Sequence, residues 1–305
     1  MAKAVVIGGN GFIGSHLVDA LVSTGHEVTA FDRFSSSDRR FASPDVRILP
    51  GDFLSNSDLE SAVRGQSLVF HFLSTTTPAT AESDPTMDTR TNVAQTIELL
   101  DAASKAGVEH VYFSSTGGAI YGPQNLPVYA ETSRAMPVSP YGIGKLTIEH
   151  YLAFFRATRG LESTSLRISN PFGPHQRPQA RQGLIPIALR NIALGKPVIR
   201  YGDGSMVRDY VYIMDAVEMI MRMVGKPHPH SIYNIGSGHG LTITEVFAAI
   251  TRVVGHDFAV EEIPAPATFV DRVVLDTARF VTDFGAVELT ELDEGICRTF
   301  ADITK

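Results

Sequence analysis

The chain has almost no cysteine: Cys297 is the only one among 305 residues. A single thiol excludes an intrachain disulfide and a metal cluster held by cysteines. No 18-residue apolar stretch is present, and the apolar run at residues 4–8 is too short for a signal peptide, so the cytoplasm is the expected location. Acidic residues outnumber basic ones by 33 to 26, and the net charge of −7 argues against a nucleic-acid partner or an anionic membrane surface.

What remains is the composition of a globular protein with a sizeable core. Hydrophobic residues make up 44% of the chain and charged residues 19%, which suits one large domain or two interlocked ones. Strand-like and helix-like segments alternate through the first two-thirds, and this pattern predicts a parallel sheet covered by helices on both faces. The predicted strands are 3–8, 27–32, 46–50, 68–72, 110–114 and 163–168, and the predicted helices are 11–23, 89–105 and 141–158.

Beyond Asn170 the alternation loosens and proline becomes frequent, which predicts a smaller and more irregular lobe. Residues 231–236 are typical of a buried strand that returns to the sheet, and a helix is expected at 242–254. We therefore predict an α/β protein with a Rossmann-type, doubly wound parallel sheet. Its NAD-binding domain would be residues 1–170, partly rejoined by 205–255, and its substrate-binding lobe 171–204 and 256–305.

Closely spaced glycines follow the first strand and open the first helix. Gly9-x-Gly11-x-x-Gly14 and Gly8-x-x-Gly11-x-x-Gly14 both have the dinucleotide-binding spacing. Glycine there permits a tight turn and a close approach of the backbone to a pyrophosphate; the alternative is a turn that needs glycine for packing alone. Asp32 ends the second strand, where a carboxylate binds ribose hydroxyls and repels a 2′-phosphate, so the pattern favours NAD. NADP remains an alternative, because an arginine can accommodate its 2′-phosphate and three arginines lie nearby: Arg33, Arg39 and Arg40.

Tyr141 and Lys145 are the candidate catalytic pair. On a helix they share one face, which brings an ammonium beside the phenol. A free phenol has a pKa of about 10, and lowering it by about 3 units needs roughly 4 kcal/mol of differential stabilisation. A nearby desolvated cation can supply much of that. The structural alternative for Tyr141 is an amphipathic helix residue at a domain seam.

These motifs, with others along residues 3–280, resemble the extended short-chain dehydrogenase/reductase family and its nucleotide-sugar epimerases and dehydratases. The markers include Gly8–Gly14, Gly51-Asp52-Phe53, His71-Phe72-Leu73-Ser74, Ser114-Ser115-Thr116, Tyr121-Gly122, Tyr141-x-x-x-Lys145, Asn170-Pro171-x-Gly173-Pro174 and Val207-Arg208-Asp209-Tyr210-Val211. Together they are specific for the family and less specific for the sugar.

The resemblance implies a set of cofactor contacts. Phe12 and Ile13 would join the glycines around the pyrophosphate, and Asp32 and Arg33 would hold the adenosine ribose. Asp52 and Phe53 would flank the adenine. Further cofactor contacts would come from Phe72, Leu73, Ser74, Ser114, Tyr141, Lys145 and Ile168. Core packing is the alternative for Phe72 and Leu73, and the family more often has His-Leu-Ala-Ala at residues 71–74.

The resemblance also implies a hydroxyl that relays between the sugar and Tyr141. Thr116 is preferred for this role and Ser115 is the alternative. The dehydratases of the family place an Asp-Glu pair directly after this hydroxyl, and the related decarboxylases a glutamate, whereas this chain has Gly117-Gly118. The reductase-epimerases of the family use a cysteine near the sugar, and Cys297, close to the C-terminus, does not match its position. The implied reaction is NAD-dependent 4-epimerisation of a UDP-hexose through a 4-keto intermediate.

Other functions stay open at this stage. A nucleotide-sugar reductase or dehydrogenase would use the same catalytic residues, and residues 74–78 leave room for a uronic acid or an N-acetyl sugar. A non-catalytic NAD-binding protein is disfavoured because both Tyr141 and Lys145 are present.

The resemblance extends to the substrate and to assembly. Asn170 and Arg208 would bind the diphosphate, and a guanidinium suits that geometry; the alternative for Arg208 is an ion pair with Asp209 or a surface position. Whether Arg272 reaches the phosphates is open. The base pocket would include Leu184, Arg200 and Tyr201. Asn92, on the helix at 89–105, would support the site. This helix and the helix at 141–158 are expected to pair with the same helices of a second copy in a homodimer.

Overall fold

The computed structural model describes residues 1–35, 39–124, 126–176, 183–266 and 269–305. The strands are β1 Lys3–Ile7, β2 Glu27–Asp32, β3 Arg47–Pro50, β4 Leu68–His71, β5 His110–Thr116, β6 Glu162–Ile168, β7 Asn170–Phe172, β8 Val198–Tyr201, β9 Val207–Tyr212, β10 Ile232–Ile235, β11 Gly240–Thr242, β12 Val260–Ile263 and β13 Arg272–Val273. The helices are α1 Phe12–Ser23, α2 Asn56–Val63, α3 Pro78–Ser83, α4 Pro85–Asp88, α5 Ala94–Ala106, α6 Gly117–Ile120, α7 Pro140–Arg159, α8 Leu184–Ala193, α9 Ile213–Met223, α10 Ile243–Val254, α11 Ala278–Phe284 and α12 Leu292–Ile303.

The central sheet of the described residues has seven strands in the order β10-β6-β5-β4-β1-β2-β3. The pairings from β3 to β5 are parallel. Strand order therefore reverses between β1 and β4, which is the point where a doubly wound sheet binds its ligand, at the carboxyl ends of the strands. The predicted Rossmann-type fold is confirmed.

The sheet core follows from the apolar runs within the strands. All four residues of β4 are buried, as are the last four of β1, because helices cover both faces of a parallel sheet. Val5 and Val69 from these strands join Leu99 of α5 and Leu152 of α7 in one buried cluster. Two of these covering helices, α5 and α7, flank the candidate site described below.

Backbone contacts divide the chain into two compact units. The first comprises residues 1–116, 139–166 and 221–233, and the second comprises 117–138, 167–220 and 234–305. The sequence analysis assigned 117–138 to the Rossmann domain, whereas its contacts group it with the second unit. Tyr129 forms a bridge with Leu275, and Met136 N–H donates to the carbonyl of Ile120. The predicted domain bounds stay a prediction.

The helix expected at 89–105 differs from the structure. It begins earlier, at Pro85, and contains a π-helical turn, Thr89–Val93, between α4 and α5. A π-helical turn holds one more residue than an α-helical turn, and such turns are frequent at functional sites. Here the turn carries Asn92, whose side chain hydrogen-bonds to Asp88 four residues earlier.

The second unit is more regular than the sequence suggested. Strand β9 lies between β11 and β13 and also pairs with β7, while β8 pairs with β12. The centre of this arrangement is Asp209, which is fully buried. Its carboxylate accepts hydrogen bonds from the N–H and hydroxyl of Ser237 and from the N–H groups of Gly238 and Leu275. No helix within the described ranges is long and apolar enough to cross a membrane.

Candidate active site

The glycine turn after β1 is closed by backbone contacts that admit no side chain. Gly8 has a φ of +88°, a left-handed conformation that favours glycine. A Cβ on Gly14 would lie 2.1 Å from the carbonyl oxygen of Gly8, and one on Gly11 would lie 3.0 Å from it. Gly8 and Gly14 are therefore required where the sequence predicted glycine, and a side chain at residue 11 would be tightly confined.

The turn leaves donors at the N-terminus of α1. Gly11 is its N-cap, and among the described side chains none hydrogen-bonds to the first-turn N–H groups. These groups, on Phe12 and Ile13 among others, point along the helix axis, where the dipole favours an anion. The pyrophosphate of a dinucleotide fits such a cradle.

Asp32 ends β2, next to this turn. Its carboxylate accepts hydrogen bonds from the N–H groups of Asn10 and Arg33, at 3.1 and 2.8 Å. Both contacts hold the carboxylate at the carboxyl edge of the sheet, where ribose hydroxyls can donate to it. Arg33 contributes here through its backbone.

The predicted adenine contacts have different environments. Asp52 is exposed and accepts from the N–H of Leu54 at 2.9 Å. Phe53 is buried, and its ring lies 5.2 Å from that of His71. The side chain of Phe53 is thus part of the core, and its contact with an adenine stays a prediction.

The segment after β4 passes close to the glycine turn. A Cβ on Gly8 would lie 3.0 Å from the nitrogen of Leu73, and Phe72 N–H donates to the carbonyl of Ile7. Phe72 and Leu73 are half-buried and Ser74 is exposed. The backbone of Phe72 and Leu73 therefore lies beside the glycine turn, and the cofactor contacts of these side chains stay a prediction. Ile168 is buried at the end of β6.

Three consecutive hydroxyl residues end β5, and their side chains alternate between the two faces of the strand. Ser115 donates to Glu149 Oε1 at 2.6 Å, and both residues are buried. Ser114 contributes its carbonyl, which accepts from Lys145 Nζ at 2.7 Å. The Ser115 hydroxyl thus uses its proton on Glu149, and the relay role of Thr116 stays a prediction.

Helix α7 begins where its sequence predicts. The hydroxyl of Ser139 accepts from the N–H of Gly142 at 3.2 Å, and Pro140 occupies the first turn, where its missing N–H has no cost. One turn separates Tyr141 from Lys145, so the two lie on the same face. Lys145 Nζ is 5.6 Å from the centre of the Tyr141 ring and 4.7 Å from that of Phe113.

Burial controls the ionisation of both groups. It lowers the pKa of Lys145 to about 8, against the opposing effect of the Asp88 and Glu149 carboxylates. It raises the pKa of Tyr141 above its ordinary value, and Asp88 raises it further. In the chain alone the pKa of Tyr141 is therefore raised overall, while the ammonium of Lys145 donates to the Ser114 carbonyl; the activation of Tyr141 by Lys145 stays a prediction.

Two buried carboxylates beside this pair, Asp88 and Glu149, were missed by the sequence analysis. Their proximity comes from tertiary packing, which a single sequence does not display. The one available signal was Gly144, a glycine inside a strong helix, since such a residue often marks a close approach by another group.

The predicted diphosphate residues lie in the second unit. Asn170 Nδ2 donates to the carbonyl of Asp209 at 2.9 Å. Arg208 donates through Nη1 to the carbonyl of Val207 at 2.8 Å, and burial lowers its pKa. An ion pair between Arg208 and Asp209, the structural alternative, is not formed, since the Asp209 carboxylate is bonded to Ser237, Gly238 and Leu275.

Three of the other predicted substrate residues already make contacts within the chain. Arg200 forms an ion pair with Glu262, and the Tyr201 ring lies 5.2 Å from that of Phe269. Leu184 is the first residue of α8 and is half-buried. Arg272 is exposed and donates through Nε to the carbonyl of Pro127 at 2.9 Å.

The residues of the first unit fit NAD. Glycines whose Cβ positions are closed, an uncapped helix N-terminus and a fixed carboxylate at the end of β2 match its pyrophosphate and ribose. Within the described ranges, no group of three or more histidine, cysteine, aspartate or glutamate residues is arranged to bind a metal ion.

Comparison with known proteins agrees with this geometry. The profile of the NAD dependent epimerase/dehydratase family matches residues 4–236. The UDP-glucose 4-epimerase of Mycolicibacterium smegmatis is 31% identical over 306 residues, which covers 97% of each chain. A crystal structure of UDP-glucose 4-epimerase from Thermotoga maritima with UDP-glucose superposes with a TM-score of 0.93 at 32% identity, covering 99% of this chain and 98% of that one. The Thermus thermophilus UDP-glucose 4-epimerase in complex with NAD gives a TM-score of 0.92 at 32% identity, covering 99% of both chains.

Proposed function

Since this chain belongs to the NAD-dependent epimerase/dehydratase family, we propose that it is a nucleotide-sugar 4-epimerase acting on a UDP-hexose of the UDP-glucose/UDP-galactose type. The observation that carries the proposal is the placement of Tyr141 and Lys145 on one face of α7, beside the hydroxyls that end β5. NAD, the cofactor, supplies a hydride acceptor that returns the hydride within the same turnover.

In this proposal Tyr141 is the base. It takes the proton of the sugar 4-hydroxyl, directly or through Thr116, and returns it when the 4-keto group is reduced from the other face. Lys145 keeps a positive charge near the phenol and is fixed by the Ser114 carbonyl. Because the pKa of Tyr141 is raised in the chain alone, its ionisation needs more positive charge than Lys145 provides there.

The absence of carboxylates after Thr116 supports epimerisation over dehydration. Gly117 and Gly118 occupy the positions where the family's dehydratases have their acid and base. A Cβ on Gly117 would lie 2.5 Å from the Leu275 side chain, so this position has no room for a carboxylate. Proton removal at a neighbouring sugar carbon therefore has no donor or acceptor in this segment.

For the substrate, we propose that Asn170 and Arg208 bind the diphosphate. Asn170 lies on β7 and donates to the Asp209 carbonyl, and Arg208 directly precedes Asp209 on the neighbouring strand β9. Leu184, Arg200 and Tyr201 remain the proposed base-pocket residues, and Arg272 remains an open candidate.

We also propose that the protein is a homodimer that pairs through α5 and α7. Three large apolar side chains on α7 are exposed, with accessible fractions of 51% for Ile143, 36% for Tyr151 and 50% for Phe154. At 3.6 residues per turn they fall on one side of the helix, as in a helix that packs against another. We define these three residues as the α7 stripe. The cytoplasm stays the expected location.

The test is a set of incubations without added reductant. The purified protein receives UDP-glucose, UDP-N-acetylglucosamine or UDP-glucuronate, the 4-epimers are separated chromatographically, and absorbance is followed at the NADH band. Formation of one epimer without net NADH supports the proposal and names the sugar. Steady NADH formation or consumption without an epimer contradicts it and indicates a dehydrogenase or reductase.

A pair of variants tests the base. Tyr141→Phe should lower kcat by about 10²- to 10⁴-fold, the usual contribution of a general base, and leave NAD binding unchanged. Tyr151→Phe, which removes the hydroxyl of another tyrosine on α7, is the matched control and should keep wild-type turnover. Normal turnover by Tyr141→Phe would rule out the mechanism.

A further inference from the structure

A buried carboxylate beside the catalytic pair has no role in the mechanism above. Asp88 ends α4 and is 3% exposed. Its Oδ1 accepts two hydrogen bonds, from the Thr76 hydroxyl at 2.5 Å and from Asn92 Nδ2 at 2.8 Å. Asn92 Nδ2 also donates to the Thr76 hydroxyl at 2.8 Å, so the three side chains form a closed triangle.

This triangle anchors the loop that follows β4. Thr76 belongs to that loop, and the adjacent Thr75 donates through its N–H and its hydroxyl to Asn92 Oδ1, at 2.9 and 3.0 Å. Asn92 therefore uses both ends of its amide, one on Thr75 and one on the Asp88–Thr76 pair. The π-helical turn between Asp88 and Asn92 places both side chains in reach of the loop.

The other oxygen of Asp88 faces the catalytic helix. A Cβ on Gly144 would lie 1.7 Å from Asp88 Oδ2, so the carboxylate occupies the space that any side chain at residue 144 would need. Glycine inside a helix costs about 1 kcal/mol relative to alanine. Gly144 lies between Tyr141 and Lys145 in α7, and it lets the carboxylate reach the backbone that carries both.

We propose that Asp88 is a positioning residue for the Tyr141–Lys145 pair: it holds the loop of residues 74–77 against α7 and keeps a buried negative charge beside the two catalytic groups. This inference deepens the proposed function and rests on it. Asp88 acts through Tyr141 and Lys145 and makes no contact with the reacting atoms in this proposal.

The charges around the pair support this role. Lys145 faces Asp88 from α4, Glu149 from its own helix and His71 from β4. Asp88 raises the pKa of Lys145 against the larger effect of burial, so it helps the ammonium to stay charged. Asp88 also raises the pKa of Tyr141 and so opposes its ionisation. Removing the charge should therefore lower both pKa values together, a change that the loss of its hydrogen bonds alone would not cause.

The first measurement needs no turnover. The chain has six lysines, so a 13Cε-lysine-labelled protein gives few NMR signals, and Lys145→Met identifies the Lys145 signal. In Asp88→Asn the titration midpoint of that signal should move down by about one pH unit, the lower end of the shift that one nearby charge produces. An unchanged midpoint in a folded Asp88→Asn protein overturns the inference, whether or not the chain proves to be an epimerase.

The second measurement is the pH dependence of kcat for epimerisation. Because Tyr141 must lose its proton to act as a base, kcat falls at low pH, and in Asp88→Asn this acid limb should move to lower pH. Asp84→Asn is the matched control: Asp84 is the exposed N-cap of the same helix, and asparagine can still cap. A uniform loss of kcat at every pH, with no displacement of the limb, would instead assign Asp88 a structural role only.

If Asp88→Asn fails to fold, Gly144→Ala provides an independent test of the same coupling. Alanine favours the helix, keeps the charge of Asp88 in the protein and displaces the carboxylate from α7. The Lys145 midpoint should again move down in this variant. A wild-type midpoint in folded Gly144→Ala protein contradicts the proposed coupling.

Discussion

At the scale of single residues, adjacent hydroxyls at the end of β5 have separate roles. Ser115 and Thr116 point to opposite faces of the strand, and Ser115 donates to the buried carboxylate of Glu149. A carboxylate buried without a donor is costly, so Ser115 stabilises the contact between β5 and α7. This leaves Thr116 as the candidate for the proton relay.

Two substitutions separate these roles. Thr116→Val keeps the shape of the side chain but removes the hydroxyl, and we expect kcat to fall by about 10²-fold or more while NAD binding persists. Ser115→Ala should instead lower the free energy of unfolding by roughly 1–3 kcal/mol, the cost of an unsatisfied charged acceptor, with less than a tenfold effect on kcat. Steady-state kinetics and urea unfolding measure the two effects. The reverse outcome would make Ser115 the relay.

The sequence predicted residues whose role lies in a local pattern. Gly14 and Asp32 belong to a spacing along the chain, and Tyr141 and Lys145 to one turn of a helix, so a single sequence displays them. Asp88 gains its position from contacts with Thr76, Asn92 and Gly144, which are 12, 4 and 56 residues away. No local pattern reports such a contact, which adds to the effect of burial in raising the pKa of Tyr141.

At the scale of elements, β5 and β6 are joined near their N-terminal ends by a hydrogen-bonded chain. Burial lowers the pKa of His228, and a neutral ring that donates from Nε2 to the Met223 carbonyl, at 2.9 Å, accepts through Nδ1 from the Thr164 hydroxyl, at 2.6 Å. That hydroxyl in turn accepts from His110 Nε2 at 2.9 Å. Burial also lowers the pKa of His110, to about 3, so this ring too is neutral near pH 7.

This arrangement predicts a loss of stability in acid. The unfolded chain binds a proton at His110 near pH 6.5, whereas the folded chain binds it only near pH 3, so the unfolded state carries more protons between these values. Stability is thus complete above about pH 6.5 and falls by about 1.4 kcal/mol per pH unit for this group well below it. His71, whose pKa burial and Lys145 also lower to about 3, adds to the effect.

Urea unfolding at pH 7, 6 and 5 measures how the free energy of unfolding depends on pH. In His110→Gln the protein should be roughly 1 kcal/mol less stable at pH 7, because the Thr164 contact weakens, but its stability should fall less steeply towards pH 5. The exposed His256→Gln is the control and should keep the wild-type slope. Equal slopes in all three proteins would show that His110 does not carry this dependence.

The elements that the sequence predicted are those with a simple hydrophobic pattern. Strands β1 and β4 each contain an unbroken apolar run, and their bounds agree within a residue. Helix α8 was missed because Pro186 suggested irregular structure, although proline is compatible with the first turn of a helix. Helix α9 was missed because it follows β9 directly, at Ile213, without a loop to mark the change.

At the scale of the whole molecule, the proposed homodimer rests on the α7 stripe. Ile143, Tyr151 and Phe154 together expose an apolar row that water solvates poorly. Burying it against a second copy would also cover the helix that carries Tyr141 and Lys145. The proposed dimer would therefore stabilise the catalytic helix directly.

Changing the stripe should separate the copies. Tyr151→Asp together with Phe154→Asp should convert a dimer to a monomer at micromolar concentration, measured by light scattering after size-exclusion chromatography, because a charge buried in an apolar interface costs several kcal/mol. Val281→Asp, which alters an exposed apolar residue of α11, is the control and should stay dimeric. A wild-type protein that is monomeric at all concentrations would contradict the proposal.

The order of strands in the central sheet also bears on how the chain is synthesised. Strand β10 pairs beside β6 at the edge of the sheet, yet it comes from residues 232–235, long after β6 has left the ribosome. Until then β6 presents an open edge, which readily pairs with strands of other nascent chains. A fragment that stops at residue 170 would keep that edge permanently, so the apparent Rossmann half is a poor choice for separate expression.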